Sequence, residues 1–333
     1  MAAAGPLNKL VLALSLLIFL AGCASEEKKS TQQKPKKPVE KINVPAFSAD
    51  SAYKFIEKQV AFGPRVPGTA AHKACGDYLV SYFSAYADTV LEQTGEVKRF
   101  DGKPMPMRNI IASFKPEQSN RIVLAAHWDT RFTSDQEAGV DQAIDGANDG
   151  GSGVAVLMEM ARLFAAQQPK LGIDIILFDV EDQGKPEDVD IVETTTSWCL
   201  GSQYWSQNPH KPNYYAKYGI LLDMVAGENA LFTMEGVSRQ KAPMLLSQVW
   251  TMAENLGYGN YFSRQMTQEI LDDHVFMNYY AGIPTIDIIE YNPATQSHFY
   301  EHWHTTADNM DNISKETLKA VGHTLTEFVY RGK

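Results

Sequence analysis

Arg121-Ile-Val-Leu-Ala-Ala-His127-Trp-Asp129 is a short, mostly apolar run that ends in a histidine and an acid. Ile173-Asp-Ile-Ile-Leu-Phe-Asp-Val-Glu181-Asp182 has the same character and ends in two acids. Runs of this length are typical of strands that are buried on both faces of a sheet. Between them, residues 153–166 have the apolar spacing of an amphipathic helix. This order predicts two strands of one sheet that are separated in the chain by a covering helix.

The alternation of strands and helices continues along the chain. Further strands are predicted at residues 108–114, 218–224 and 284–290, and further helices at residues 50–60, 70–85, 241–256 and 315–330. This pattern favours an α/β fold with a mixed, mostly parallel twisted sheet and helices on both faces. Because no internal repeat or second boundary is visible, residues 45–333 are expected to form a single α/β domain.

The composition fits a globular domain and argues against nucleic-acid binding. The chain has 333 residues, of which 44% are apolar and 11% aromatic, enough for a large core. The formal net charge is −10, and no block of Lys and Arg is paired with aromatic residues that could stack on bases. An acidic chain of this kind is not expected to bind nucleic acid.

Residues 1–22 have the features of an export signal. Lys9 precedes an apolar run at residues 10–20, which is too short for a comfortable membrane span. The run ends in Leu20-Ala-Gly-Cys23, which resembles the lipobox of bacterial lipoproteins. The resemblance implies that residues 1–22 are a signal peptide and that the Cys23 thiol is lipidated. An ordinary secretion signal with an incidental cysteine is the alternative.

Residues 23–44 are polar and rich in Lys and Pro, and we interpret them as the lipidated cysteine followed by a flexible tether. The expected location is the bacterial cell envelope, with a membrane-anchored lipoprotein that faces the periplasm or the cell surface. Two cysteines then remain, Cys75 and Cys199. That compartment permits a disulfide between them, but their separation in sequence neither requires nor excludes one.

Polar side chains collect where the predicted strands end. His127 follows one strand, Glu181 and Asp182 follow another, and Asp223 follows a third. Two further features join them at this edge: Asp149 in the turn Gly146-Ala-Asn-Asp-Gly-Gly-Ser-Gly153, and the loop that contains His298, His302 and His304. An open catalytic zinc site needs such oxygen and imidazole ligands from separate segments. The glycine-rich turn has no Gly-Lys-Ser/Thr continuation, which argues against a phosphate site.

The order of these residues resembles the zinc aminopeptidase superfamily, and within it the animal-type glutaminyl cyclases, also called glutaminyl-peptide cyclotransferases. The superfamily pattern consists of His127-x-Asp129, Asp149 in its turn, Glu181-Asp182, Asp223 and His304 in Trp-His-Thr. The cyclase-like segments are Leu222-Asp-Met224, Trp198-Cys-Leu-Gly-Ser202, Asp272-Asp-His274, Trp303-His-Thr305 and Asp308-Asn309. The resemblance extends from about residue 62 to the C-terminus.

The resemblance implies a three-layer sandwich, one Zn²⁺ ion and a set of site residues. Zinc would be held by Asp149, Asp182 and His304, although the family commonly has Glu at the position of Asp182. Glu181 would be the general acid and base, Asp223 and Asp272 would form a supporting acidic network, and Trp198 and Trp303 would wall the glutamine pocket.

The implied activity is conversion of the N-terminal glutamine of peptides and proteins to pyroglutamate with release of ammonia. The main alternative is a two-metal zinc aminopeptidase, in which His127 and Asp223 hold a second ion. Both functions use the same ligand types, so the cyclase interpretation rests on Trp198, Trp303 and the Asp272-Asp-His274 stretch. A catalytically inactive peptide-binding lipoprotein is a third possibility, but a pure binder has no use for a base such as Glu181.

Overall fold

Strands and helices alternate along the chain in the computed structural model, which describes residues 42–186, 188–193, 196–295 and 297–332. The strands are β1 (Thr89–Lys98), β2 (Pro104–Phe114), β3 (Arg121–His127), β4 (Gly172–Phe178), β5 (Gly219–Asp223), β6 (Phe232–Met234), β7 (Phe262–Met266) and β8 (Thr285–Ile289). The helices are α1 (Ala49–Val60), α2 (Ala70–Ser84), α3 (Ser152–Ala166), α4 (Leu200–Gln207), α5 (Gly236–Lys241), α6 (Pro243–Asn255), α7 (Asp273–Tyr279) and α8 (Lys315–Arg331), and a 3₁₀ turn spans Met310–Asn312.

One sheet has the strand order β1-β2-β4-β3-β5-β8. β3 pairs in parallel with β4 and β5, and β5 pairs in parallel with β8. β2 is antiparallel to both β1 and β4. The predicted fold class, a mixed and mostly parallel sheet, is therefore confirmed. β6 and β7 form a separate parallel pair.

The central strands are buried on both faces, as their apolar sequences predict. Ile122 and Leu124 of β3 belong to an apolar cluster that includes side chains of α1, α3 and α8. Val123 and Ala125 point the other way, into a second cluster with Trp205 of α4. All of these side chains are fully buried. Because successive residues of a strand face opposite sides, one strand supplies both layers of core.

Two features of the chain differ from the sequence-based expectations. The helix predicted at residues 241–256 begins at Pro243, because a proline lacks the backbone N–H and suits the first turn of a new helix. Lys241 instead ends α5. Sequence patterns also missed β1, β6, β7, α4, α5 and α7. β1 is largely exposed and has no apolar alternation, and the other missed elements are eight residues or shorter.

The expected signal peptide, Cys23 and most of the tether fall at residues 1–41, outside the described residues. Ile42–Lys333 form one compact unit. In the described part of the chain, no helix is both long and apolar enough to cross a bilayer. Within the residues that the structure describes, Cys75 and Cys199 are both buried and form no disulfide with each other, which answers the question that the sequence left open.

Gly153 lies where α3 crosses β5 at close range. A Cβ atom on Gly153 would lie 2.4 Å from the backbone oxygen of Leu222, which cannot move without displacing β5. We expect Gly153→Ala to lower the free energy of unfolding by about 1–3 kcal/mol, as overpacking of a core does. Denaturant unfolding measures this change. Gly259→Ala is the matched control, because its Cβ would meet Glu254 at an ordinary 3.7 Å; equal stability of the two variants would contradict the packing argument.

Candidate metal centre

The carboxyl ends of β4, β3, β5 and β8 lie side by side, and the polar residues predicted from sequence meet there. His127 is the last residue of β3 and Asp223 is the last residue of β5. Glu181 and Asp182 follow β4, and His304 lies in the loop after β8. Asp149 joins them from the turn that precedes α3. The structure therefore brings the sequence-predicted ligands together at the edge where parallel sheets bind ligands.

Asp149, Asp182 and His304 form the first candidate metal-binding group. Their ligand atoms all lie within 4.8 Å of one another. His304 Nε2 lies 2.9 Å from Asp182 Oδ1 and 3.7 Å from Asp149 Oδ2. All three residues are buried. The shorter side chain of Asp182 thus still reaches the imidazole.

His127, Asp149 and Asp223 form a second group of the same kind. His127 Nε2 lies 3.0 Å from both Asp149 Oδ1 and Asp223 Oδ1. Asp149 therefore belongs to both groups, with one oxygen toward each histidine. This is the arrangement that the two-metal alternative requires.

The donor set fits a zinc ion. Each group supplies two carboxylates and one imidazole, the ligands of open zinc sites. Asp182 Oδ2 is buried and has no hydrogen-bond partner among the described residues, so it has a lone pair to offer. Burial raises the pKa of Asp182 to about 6 and the pKa of Asp223 to about 7. A divalent cation would offset this cost of placing ionised carboxylates together.

Three acids that the sequence analysis left without a role fix the ligands in place. Asp135 Oδ1 lies 2.9 Å from His304 Nδ1, which orients the ring so that Nε2 faces Asp182. Asp129 accepts hydrogen bonds from the backbone N–H groups of Glu181 and Asp182. Asp308 accepts from the backbone N–H groups of Asn148 and Asp149. Asp129 and Asp308 stood in the family-like pattern, whereas Asp135 carried no sequence signal.

Glu181 lies beside the metal-binding groups but not within either of them. Its side chain is 12% exposed, and Oε2 lies 3.9 Å from His127 Nδ1. The Cys199 thiol donates a hydrogen bond of 3.1 Å to Oε1. Burial raises the pKa of Glu181 well above its ordinary value, and the nearby Asp182 and Asp272 raise it further, while the charge of His127 opposes them. A carboxylate with a raised pKa is suited to exchange protons near neutral pH.

Asp272 caps α7 and lies close to Glu181. Its side chain accepts a hydrogen bond from the backbone N–H of Asp273. Ligand atoms of Glu181, Cys199 and Asp272 lie within 4.8 Å of one another. The charge of Asp272 raises the pKa of Asp223, after the larger effect of burial. Asp223, Asp272 and Glu181 therefore form one electrostatically linked acidic network.

A cavity of 290 Å³ opens onto these residues. Trp198 and Trp303 are two of its walls, and both rings stack with His304, at centroid distances of 5.9 and 3.8 Å. The cavity is also lined by Met224, Gln268, Glu269, Ile270, Leu271, Ile289 and Phe299. A larger groove of 860 Å³ lies near the amino ends of β5 and β8, but its lining has no carboxylate or imidazole among the described residues. The smaller cavity is therefore the candidate site.

Strained backbone surrounds the cavity. Val180, Cys199, Met224 and His304 all have left-handed φ angles, between 47° and 58°. For residues with a side chain this conformation costs about 1–2 kcal/mol each. Val180 precedes Glu181 and Met224 follows Asp223, so the strain aims neighbouring acids into the site. Such outliers persist only where the surrounding packing enforces them, as at functional sites.

Comparison with known proteins adds to this geometry. A model of Peptidase family M28 matches residues 109–329. The chain is similar to the solved structure of glutaminyl cyclase from Bacteroides thetaiotaomicron bound to N-acetylhistamine, with 50% identity, a TM-score of 0.85, and coverage of 87% of this chain and 100% of that chain.

Two curated proteins are more distant relatives. Aminopeptidase YwaD of Bacillus subtilis (strain 168) is 30% identical over 254 residues, which are 72% of this chain and 47% of that protein. Glutaminyl-peptide cyclotransferase of Gloydius blomhoffii is 28% identical over 251 residues, 66% of this chain and 64% of that protein. The chain thus spans about half the length of the first curated relative and less than two thirds of the second.

Zinc affinity should increase as the pH rises from about 6 to about 9. Burial lowers the pKa of His304, but Asp182 and the hydrogen bonds to Asp135 and Asp182 outweigh it, and the pKa is raised to about 9. Burial raises the pKa of Asp182 to about 6. Protons therefore compete with the metal for both ligands in the metal-free protein, and they leave as the pH rises. Competition with a chelator over this pH range measures the affinity.

Two histidine variants in one loop test this assignment, with His304→Ala as the test and His298→Ala as its control. His304→Ala should bind zinc more weakly and show a flatter pH dependence, because one competing proton is gone. His298→Ala removes an exposed imidazole six residues earlier and should keep the full slope. The same slope in His304→Ala and the unmodified protein would contradict the assignment of His304.

Proposed function

The chain belongs to peptidase family M28, a zinc-dependent family, and we propose that it is a glutaminyl-peptide cyclotransferase. The predicted resemblance to zinc aminopeptidases and glutaminyl cyclases is confirmed. The proposed reaction converts the N-terminal glutamine of peptides and proteins to pyroglutamate and releases ammonia. The observation that carries the proposal is the pair of tryptophans, Trp198 and Trp303, which stack with His304 and wall a small cavity beside Glu181.

We assign Asp149, Asp182 and His304 as the residues that hold one zinc ion. Bound there, zinc would act as a Lewis acid that polarises the side-chain amide of the substrate. Asp135 and Asp308 hold these ligands through the hydrogen bonds described above, so the donors are oriented before metal binds. The assignment is consistent with the short distance between His304 Nε2 and Asp182 Oδ1.

Cyclisation needs no external nucleophile, because the free α-amine of the substrate attacks the amide carbon of its own side chain. Glu181 takes a proton from this amine and returns it to the departing ammonia. The raised pKa of Glu181 suits both steps. Trp198 and Trp303 hold the flexible side chain in a folded conformation, which lowers the entropic part of the barrier.

Asp223 and Asp272 support the base in this proposal. The negative charge of Asp272 favours the protonated form of Glu181, and it also raises the pKa of Asp223, after the larger effect of burial. Asp272 therefore helps Glu181 to retain the proton between its removal from the amine and its transfer to ammonia, and Asp223 supports the base as part of the same acidic network. The peptide beyond the first residue would leave the cavity toward solvent, so its sequence should affect the reaction less.

A two-metal aminopeptidase is the second candidate. The second metal-binding group, which contains His127, favours it. His127, Asp149 and Asp223 are placed to hold a second ion, with Asp149 between the two sites. Glu181 would then act as the base for an attacking water. The small aromatic cavity argues for the cyclase, because cyclisation needs to enclose one side chain.

The proposed function predicts ammonia release from a dipeptide amide that begins with glutamine. The product should be lighter than the substrate by the mass of one ammonia. Glu181→Gln should lower kcat by about 10²–10⁴-fold, because it removes the general base and keeps the shape of the site. A coupled ammonia assay with mass spectrometry of the product measures both. Glu254→Gln, which changes an exposed glutamate outside the cavity, is the control and should retain full activity.

The alternative function gives a different product in the same assay. Release of free glutamine, with a requirement for two zinc ions per chain, would identify an aminopeptidase and overturn the cyclase proposal. Turnover that persists in Glu181→Gln would remove Glu181 from the mechanism.

We also propose that the protein is a lipoprotein of the bacterial cell envelope, anchored through Cys23 and facing the periplasm or the cell surface. The sequence features of residues 1–23 support this, with the tether at residues 23–44 as a spacer. Expressed in a bacterium with its own leader, the chain should sediment with membranes, and mass spectrometry should find acyl groups on Cys23. Cys23→Ser should release it, whereas Cys75→Ser should not; a soluble unmodified chain would contradict the proposal.

A further inference from the structure

We propose that Arg131 is a positioning residue that holds the candidate zinc ligand His304 and the pocket wall Trp198 in one fixed arrangement. This inference rests on the proposed function and names a further residue for that site. Arg131 lies in the loop after β3 and is fully buried. A buried guanidinium keeps its charge, so its hydrogen bonds must be satisfied by the protein.

The hydrogen bonds of Arg131 join its own loop to the segment of residues 182–184, and Asp135 extends this link to His304. Nη1 donates to the backbone oxygens of Asp182 and Gly184, at 3.0 and 2.8 Å. Nε and Nη2 donate to the two carboxylate oxygens of Asp135. One planar group thus fixes the segment that carries Asp182 and, through Asp135, the ring of His304.

The first effect of Arg131 is on His304. Asp135 Oδ1 lies 2.9 Å from His304 Nδ1, so the imidazole is fixed with Nε2 directed at Asp182 and Asp149. Arg131 binds both oxygens of Asp135, which fixes the plane of that carboxylate. Without the guanidinium, Asp135 could rotate and the metal-binding nitrogen of His304 would lose its orientation.

The second effect is on Trp198. The guanidinium carbon lies 4.5 Å from the centre of a Trp198 ring, within the range of a cation–π contact. The Trp198 indole also packs directly on the backbone of Gly184, where a Cβ atom would lie 2.1 Å from the ring. Because Arg131 also binds the Gly184 oxygen, it fixes the backbone against which the indole packs. The position of the pocket wall therefore depends on the same residue as the orientation of His304.

Only arginine satisfies all these contacts. A lysine ammonium has the charge but presents three donors at one point, so it cannot reach Asp135 and two carbonyl oxygens while lying flat on an indole. The position therefore requires a planar group with several N–H donors and a flat face that can stack on an indole.

Arg121 provides a matched control in the same chain. Its Nε and Nη2 bind the two oxygens of Asp174 at 2.6 and 2.7 Å, and Nη1 donates to the backbone oxygens of Pro116 and Gln118. The hydrogen-bond pattern is the same and the side chain is also buried. However, Arg121 starts β3, at the end of the sheet away from the cavity, and binds neither a metal-binding group nor a pocket wall.

The experiment compares Arg131→Lys, Asp135→Asn and Arg121→Lys. Zinc dissociation constants are measured by competition with a chelator, and kcat and KM are measured at saturating zinc. Arg131→Lys should raise the zinc dissociation constant about 10–100-fold. It should also raise KM roughly 3- to 10-fold, because Trp198 loses the planar guanidinium that lies against its indole.

Asp135→Asn should weaken zinc binding but leave KM unchanged, since Arg131 still contacts Trp198. Arg121→Lys should change neither quantity, although it disrupts an equivalent buried pair in which two guanidinium nitrogens bind one carboxylate. Loss of zinc affinity in only the two variants beside the cavity, with a KM effect in Arg131→Lys alone, is the signature of the proposed role.

Several results would overturn the proposal. One is an Arg131→Lys variant with unchanged zinc affinity and KM, and another is an Arg121→Lys variant with equal losses, which would reduce the effect to general stability. If Arg131→Lys does not fold, Asp135→Asn still tests the link to His304, and unchanged zinc affinity there overturns it. If the chain cleaves peptides instead of cyclising them, the proposed function fails, while the zinc measurements still decide the role of Arg131.

Discussion

Mutual repulsion among buried carboxylates is the constraint on which the rest of this structure depends. Asp149, Asp182 and Asp223 are gathered around two histidines, away from water, and Glu181 and Asp272 lie beside them. Burial is the largest cause that raises the pKa of Asp182 and Asp223, and repulsion from neighbouring acids raises both further. Such a cluster is stable only with hydrogen-bond donors, shared protons or a cation. The site supplies hydrogen-bond donors, and its carboxylates and imidazoles are placed to bind a cation.

Backbone and side-chain hydrogen-bond donors around the site offset this repulsion. Asp129 accepts hydrogen bonds from the backbone N–H groups of Glu181 and Asp182, and Asp308 accepts one from that of Asp149. These hydrogen bonds hold loops that contain residues with left-handed φ angles. The loops follow strands whose side chains are buried in the core. Rigid strands, strained loop ends and charged ligands therefore belong to one mechanical unit, and precise positioning of a catalytic group needs such support.

The same ligands serve two chemistries, so the cavity rather than the metal centre separates the candidate functions. Both candidate metal-binding groups are present and share Asp149. What favours cyclisation is the small cavity that opens onto them, whose walls include Trp198 and Trp303. Fold and ligand set define the family, and the walls of the pocket define what the site encloses.

The sequence by itself determined the α/β class, most of the central strands and the identity of the candidate ligands. Apolar runs such as residues 121–127 signal buried strands, and acids and histidines directly after them must meet because parallel strands end at one edge. Short or exposed elements such as β1 and α4 lacked a periodic signal and were missed. The roles of Asp135, Arg131 and Cys199 were decided only by the tertiary structure. Their partners are distant in sequence, and a hydrogen bond such as that between Asp135 and His304 depends on side-chain geometry, which no local pattern encodes.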